Sequence, residues 1–383
     1  MTRRQLVSAA VAAASGRKLK VGIAGGGFGT SFYFHEHPDA EVVAVSDLRS
    51  DRRDRLMSTY SCRTAHESLD KLLLDRNVDA VGLFTPAPDH VRHVRQCLDA
   101  GKHVLCAVPA AMDLEQCQTL ADSVKKSGLT YMMAETSYYQ QLSISARKFY
   151  REGKFGRIFA CESEYHHAGL EALFFDRGER TWRYGFPPMH YPTHCTAHLI
   201  GVTGERLTEV TCLGWGDDDP ILKDNSYRNP FWNETAFFKS DRGTPFRVAV
   251  YWKGAHRGTE RADWYGDKMS LFCAHPNGLG PVIVRSSAQT EKDSGGFERQ
   301  LPAFEPYPDP KWWATDLLPA SLRHNSGHEG SHTFITHEFV EAVLAGRKPT
   351  VDVSMAIALT APGIVAHQSA LRGGEQLKIP SFG

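Results

Sequence analysis

Three histidines, His190, His194 and His198, recur at four-residue spacing in PPMHYPTHCTAHLIG. On a helix this spacing puts all three on one face. Pro187 and Pro188, just ahead, suit a helix start. An imidazole titrates at about 6.5, so His194 suits proton transfer near neutrality, with His190 one turn before it and Tyr191 between them. A second cluster, Tyr165-His166-His167, ends the segment CESEYHH. On a strand, Tyr165 and His167 face one side and His166 the other. A phenol titrates at about 10, so Tyr165 serves as a base only where a cation lowers that value. The plainer alternatives are satisfied structural histidines at His198 and His194, and a packed strand ring at Tyr165. Histidines at i and i+4 also suit zinc. No carboxylate or cysteine at suitable spacing completes a shell, so no metal is expected.

These groups need elements to position them and a partner to react with. KLKVGIAGGGFGTSFYF reads as a short strand, a glycine cluster and a helix start. Gly25 and Gly27 take the first two positions of GxGxxG. Thr30 stands at the third, after Phe28 and Gly29. The first glycine permits a tight turn. The second lets the backbone approach a pyrophosphate, which would rest on the helix N-terminus that follows. EVVAVSDLR adds a strand ending in Asp47, 22 residues beyond Gly25. A carboxylate there accepts ribose hydroxyls and repels a 2′-phosphate, which favours NAD. Arg49 keeps NADP open. Strands and helices then alternate as far as LTYMMAE, which specifies a doubly wound parallel sheet. Its right-handed crossovers put the strand C-terminal ends, including Thr85-Pro86 and Cys106-Ala107, along one ligand crevice, with His90 and Pro109 as further cofactor-binding candidates.

The rest of the chain bounds the answer. Basic and acidic residues balance at 44 each, which argues against nucleic acid and against a polybasic membrane surface. No apolar run reaches the roughly 18 residues that span a bilayer. Eight scattered cysteines read as buried small hydrophobes, not a disulfide scaffold. MTRRQLVSAAVAAASG, with Arg3 and Arg4 before an apolar stretch, resembles a twin-arginine export signal, so both cytoplasm and periplasm stay open. The expected organisation is a signal remnant or loose N-terminus over 1–17, a dinucleotide domain over 18–138 and a substrate and oligomerisation domain over 139–383. In the last, TAFFKSDRGTPFRVAVYWKG and DKMSLFCAHPNGLGPVIVR read as hairpins of an open, largely antiparallel sheet. LPAFEPYPDPKWW reads as an extended arm or lid, and two C-terminal stretches read as structural helices.

VGIAGGGFGT, LFTPAPDHVRHV, AGKHVLCAVPAAM and EFVEAVLAGRKP, in this order, resemble the glucose-fructose oxidoreductase, inositol dehydrogenase and MocA family. The resemblance implies an α/β chain, a Rossmann domain joined to a second α/β domain with an open sheet. It implies NAD(P)-dependent oxidation or reduction of a sugar or cyclitol hydroxyl, and a homo-oligomer formed through the second sheet. It also exposes a departure. Where the family reads Glu-Lys-Pro, this chain has Ala107, Val108 and Pro109, and valine cannot exchange a proton. His194 matches the family's histidine, and His190 stands for its aspartate. Val-Pro together with Tyr191-Pro192-Thr193-His194 further resembles NAD-dependent glycosidases typified by α-N-acetylgalactosaminidases, which do without the lysine. That likeness assigns proton work to Tyr165 and His194. The readings are therefore a sugar oxidoreductase, a redox-assisted glycosidase, or a catalytically silent NAD-binding protein.

Overall fold

The computed structural model describes residues 16–382 apart from 168, 256, 257 and 309. The expected export signal at Arg3 and Arg4 lies outside the described residues. Six strands form the first sheet: β1 (Leu19–Ala24), β2 (Ala40–Ser46), β3 (Ala65–His66), β4 (Ala80–Leu83), β5 (His103–Cys106) and β6 (Tyr131–Met133). Every pairing is parallel, in the order β3-β2-β1-β4-β5-β6, the Rossmann order. All four residues of β4 are buried, as a strand covered on both faces requires. The crossovers carry α1 (Ser50–Tyr60), α2 (Leu69–Leu73), α3 (His90–Asp99) and α4 (Leu114–Ser127). The Asp113 carboxylate caps α4 by accepting from the Gln116 N–H at 2.7 Å, and Gly128, at φ +66°, ends it.

One expectation fails in the first crossover. The glycine turn does not open onto a long helix. Two single 3-10 turns follow, Gly29–Ser31 and Phe34–Glu36. Pro38 forces His37 into extended backbone and stops any continuation. The Tyr60 hydroxyl donates to the Gly29 carbonyl and, at 2.8 Å, to that of Phe32, so α1 satisfies groups a helix would have used. Any pyrophosphate here rests on turn N–H groups, without a helix dipole of full length.

After α5 (Gln141–Arg151) the chain enters a larger sheet: β7 (Ile158–His166), then β10 (Leu207–Trp215), β11 (Asn233–Ser240), β12 (Pro245–Tyr251), β13 (Thr259–Gly266), β14 (Met269–Phe272), β15 (Val282–Lys292), β16 (Glu298–Pro306) and β17 (Leu377–Lys378). A separate hairpin, β8 (Phe175–Asp176) and β9 (Glu179–Arg180), follows β7. The nine strands run β16-β15-β14-β13-β7-β12-β11-β10-β17, antiparallel except between β7 and β12. Both expected hairpins are present, β11–β12 and β14–β15. α6 (Thr193–Thr203) and α9 (Val353–Leu371) cover one face, and α7 (Pro220–Lys223) is a single turn. The opposite face stays open and carries Leu213, Trp215 and Phe237, each more than half exposed. The proline-rich arm is partly strand, and beyond β16 it is tied down: Tyr307 and Trp312 both donate to Ser145 Oγ on α5. α8 (Gly327–Leu344) and α9 return to the first sheet. His332 Nδ1 meets the Ser31 carbonyl at 2.8 Å, and the Met133 N–H reaches the Val351 carbonyl at 3.0 Å. No helix among the described residues is long and apolar enough to cross a membrane.

Candidate active site

The centre of the site is a buried carboxylate that spacing did not reveal. Glu135 follows β6 and is fully buried. Its Oε1 accepts from the Ser137 N–H at 2.9 Å and from His194 Nδ1 at 2.9 Å. Glu260, on β13, places Oε1 3.7 Å from the same Nδ1, and Ser137 Oγ donates to it. The network assigns the proton to Nδ1. Burial works to lower the His194 pKa. Glu135 and Glu260 outweigh it and hold the imidazolium up to about 9. Burial likewise works to raise Glu135, and His194 outweighs it, bringing that carboxyl to about 2. Glu260 keeps the raised pKa that burial gives it. His194 is thus a cation near neutral pH, whereas the free imidazole value would make it a base.

The other side of the imidazole faces aromatic rings. The Tyr165 ring, at the end of β7, lies 4.6 Å from the His194 ring, and Tyr191 stacks on His194 at 5.5 Å. Tyr165 and Tyr191 are both half-buried, 6.0 Å apart, with Trp252 edge-on to each. Among the described residues neither phenol has a hydrogen-bond partner. Burial pushes the Tyr165 phenol well above its ordinary value, and Tyr191, Glu260 and Glu135 add to the rise. His167 shares the Tyr165 side of the strand at 5.8 Å, and His166 turns the other way to stack on Tyr251, as alternation required.

His190 does not join this group. It belongs to a 3-10 turn, Pro188–His190, and α6 begins only at Thr193, after Pro192. Its ring packs on Phe186 and His367, and burial brings it to about 3, with His367 adding to the fall. The three histidines therefore do not share one helical face. His198 is fully buried between Ser163 and Gln140, a satisfied core residue.

Among the described residues, two clusters have metal-ligand composition. Glu135, His194 and Glu260 offer atoms within 4.8 Å of one another, as do His37, His337 and Glu341. In the first, the Nδ1 proton and the Ser137 hydroxyl proton already lie between the acceptors. In the second, His37 Nδ1 accepts from the Asp39 N–H at 3.1 Å, so its proton sits on Nε2, facing His337 Nδ1 at 3.0 Å. A metal would need that lone pair.

The nucleotide crevice lies at the ends of β1, β2 and β4. Gly25 has φ +102°, and a Cβ there would meet the Phe84 carbonyl oxygen at 2.3 Å. A Cβ on the exposed Gly27 would meet only Arg52 Nη1, at 4.0 Å, so the turn keeps an open cradle. Gly29 packs under Phe84, Thr30 lies in the first 3-10 turn, and Phe28 stands edge-on to Phe32, Phe84, His328 and His332. Asp47 Oδ2 accepts from the Gly26 N–H at 2.7 Å, and Oδ1 from the Arg49 N–H at 2.9 Å. These features fit a dinucleotide. His90 sits deeper than expected. It is buried, and its nitrogens face the Pro109 and Thr85 carbonyls at 2.8 and 2.9 Å, so it braces the two loops and does not line the crevice. Pro86 is exposed and Val108 half-buried.

Arg183 is a further residue without a sequence signal. Its guanidinium lies over the Trp182 ring at 4.1 Å, no carboxylate among the described residues pairs with it, and its Nε is buried without a partner. It opposes the burial that raises Tyr165.

The GFO_IDH_MocA family model (oxidoreductase family, NAD-binding Rossmann fold) matches residues 19–135. A glycosyl hydrolase family 109 protein from Streptomyces coelicolor is 25% identical over 375 residues, covering 90% of this chain and 78% of its own length. Levoglucosan dehydrogenase in complex with NADH shares the fold with a TM-score of 0.76 at 15% identity, over 95% of this chain and 100% of its own. The myo-inositol 2-dehydrogenase of Lactobacillus plantarum does so with a TM-score of 0.72 at 18% identity, over 95% and 100%. With its Rossmann strand order, its glycine cradle and this match, the segment 19–135 belongs to the glucose-fructose oxidoreductase, inositol dehydrogenase and MocA family of oxidoreductases, and the rest of the chain shares the fold of the solved structures.

Proposed function

We propose that the protein is a NAD-dependent enzyme that works on a hydroxyl of a sugar or glycoside, with Tyr165 and His194 handling protons in place of the family's lysine. The observation that carries this reading is the Tyr165 ring 4.6 Å from an imidazolium anchored by Glu135, in a chain with Val108 at the lysine position. Bound NAD supplies a hydride acceptor and, once reduced, a hydride donor. The chain's own residues do the rest. The His194 imidazolium steadies negative charge on the reacting oxygen. Tyr165 takes the hydroxyl proton when a cation beside it lowers its pKa. Tyr191 fixes the imidazole plane by stacking, and Glu135 and Glu260 keep His194 charged. Arg183 offers an unpaired guanidinium to an anionic or oxygen-rich substituent.

A second reading has a specific observation behind it: the relative that covers 90% of the chain is a family 109 glycosyl hydrolase. In that scheme the C3 hydroxyl would first be oxidised to a ketone, its hydride going to the bound NAD and its proton to a base, and the ketone would acidify the adjacent C2–H. Tyr165 removes the C2 proton, the aglycone leaves, water adds, and the ketone is reduced again, with no net redox change. A panel of nitrophenyl glycosides and free sugars with NAD separates the readings. Net NADH from a free sugar marks the dehydrogenase. Nitrophenol without net NADH marks the glycosidase. Bound dinucleotide with neither activity marks a silent binder. If Tyr165→Phe and His194→Ala leave turnover intact, the proton assignment is wrong.

A further inference from the structure

The nucleotide crevice carries an ion-pair network that reaches it from the second half of the chain. The β8–β9 hairpin turns at Arg177 and Gly178, with φ of +55° and +85°, the two-residue turn that reverses a chain tightly. Asp176, just before the turn, aims its carboxylate at the first domain. Its Oδ2 accepts from Arg49 Nη1 and, at 2.9 Å, from Arg52 Nη2. Asp51 takes the other edge of Arg49, with Nε at 3.0 Å from Oδ1 and Nη2 at 2.6 Å from Oδ2. Arg177 closes the chain on Asp51 at 2.8 Å.

The placement of the two arginines gives this network its meaning. Arg49 lies two residues beyond the strand-end carboxylate Asp47, where a guanidinium ordinarily receives a ribose 2′-phosphate. Arg52 Nη1 stands over the exposed Gly27 of the turn. Left unpaired, the two would form a forked phosphate site and favour NADP. Each nitrogen of Arg49 instead donates to a carboxylate, Nε and Nη2 to Asp51 and Nη1 to Asp176, so its charge is already balanced. We infer that Asp176 is a cofactor-specificity residue: it occupies Arg49 and Arg52 from across the interdomain crevice and so excludes the 2′-phosphate of NADP. Asp47 repels the phosphate from within the first domain, and Asp176 removes its receptor.

The inference rests on the nicotinamide-cofactor reading above, and one binding experiment separates the two. NADH and NADPH are titrated into the apo-protein by calorimetry, with 5′-AMP and 2′,5′-ADP as probes of the adenosine end alone. The wild type is expected to prefer NADH and 5′-AMP. Asp176→Asn is expected to tighten NADPH and 2′,5′-ADP by about tenfold while NADH changes by less than about threefold, since one arginine–phosphate pair accounts for a factor of that order. Asp176→Glu is expected to restore the wild-type ratio. Unchanged thermal melts certify the variants, and the half-exposed hairpin position of Asp176 makes that the expected result. A wild type that binds neither dinucleotide refutes the cofactor reading. A wild type that binds NADH selectively, with an Asp176→Asn variant whose NADPH-to-NADH ratio is unchanged, refutes the inference alone. So does a wild type that binds NADPH as tightly as NADH.

Discussion

Replacing Glu135 with glutamine tests whether His194 is a cation by design. The amide would keep the shape and one acceptor but remove the charge 2.9 Å from Nδ1. Glu260 remains, yet it lies 3.7 Å away and its own pKa is raised by burial, so it is a poor substitute. The rise of His194 to about 9 from an ordinary 6.5 corresponds to about 3 kcal/mol of preference for the charged ring. Without Glu135, burial dominates and the His194 pKa falls below the ordinary imidazole value. The stability effect has a definite pH window. His194 is raised on folding, so its share is complete below about pH 6.5 and is lost as pH climbs through about 9. Glu135 is depressed, so its share is present above about pH 4.5 and is lost as pH falls through about 2. The wild type should therefore exceed Glu135→Gln by about 2–3 kcal/mol between about pH 4.5 and 6.5, and the gap should close by about pH 10. Urea melts at about pH 6 and pH 10 measure it, and the His194 ring proton followed by NMR reports the pKa directly. An equal deficit at both pH values, or an unmoved titration, would mean that Glu135 serves packing alone.

Gly25→Ala places a Cβ 2.3 Å from the Phe84 carbonyl at φ +102°, so it should abolish dinucleotide binding and cost about 1–3 kcal/mol in a melt. A normal NADH titration would contradict the cradle. The open face of the larger sheet exposes Leu213, Trp215 and Phe237, and we propose that copies of the chain pair there. Phe237→Asp should then lower the mass seen by light scattering, and a wild type that is already monomeric refutes the pairing.

The fold was largely legible because its signals are local. Apolar runs such as Ala80–Leu83 are buried on both faces, and Asp113 caps α4 where the sequence places a cap. The hairpin turns at Gly243 and Gly278 sit where left-handed backbone demands glycine. The site was legible only in part. Tyr165, Tyr191 and His194 were visible as types. The groups that govern them were not, because Glu135 and Glu260 come from different sheets and meet only in the folded chain. The histidine row misled because its four-residue period crosses Pro192. The pre-proline restriction holds Tyr191 out of the helix and leaves His190 in a turn, and the proline itself was in plain view. The short turns after Gly29 had a similar visible cause in Pro38.

The exchange of lysine for valine imposes an order of events on the proposed chemistry. A lysine at position 108 would bring a group that both carries charge and exchanges a proton. In the chemistry we propose, the two tasks fall to different residues: charge to His194, proton to Tyr165. The His194 charge is balanced by Glu135, so the buried triad lends Tyr165 little positive field. Burial, with both carboxylates contributing, instead pushes the phenol well above its ordinary value. The resting phenol is therefore protonated, and an additional cation is needed to make it a base. Oxidised nicotinamide carries a positive ring and the reduced form does not. NAD⁺ binding should lower the Tyr165 pKa, and NADH binding should leave it high. An ultraviolet pH titration reads tyrosinate directly: its onset should move to lower pH with NAD⁺, stay put with NADH, and lose the cofactor-dependent part in Tyr165→Phe. If both redox states move the onset equally, the ring's charge is not what activates Tyr165, and the base must lie elsewhere in the cleft.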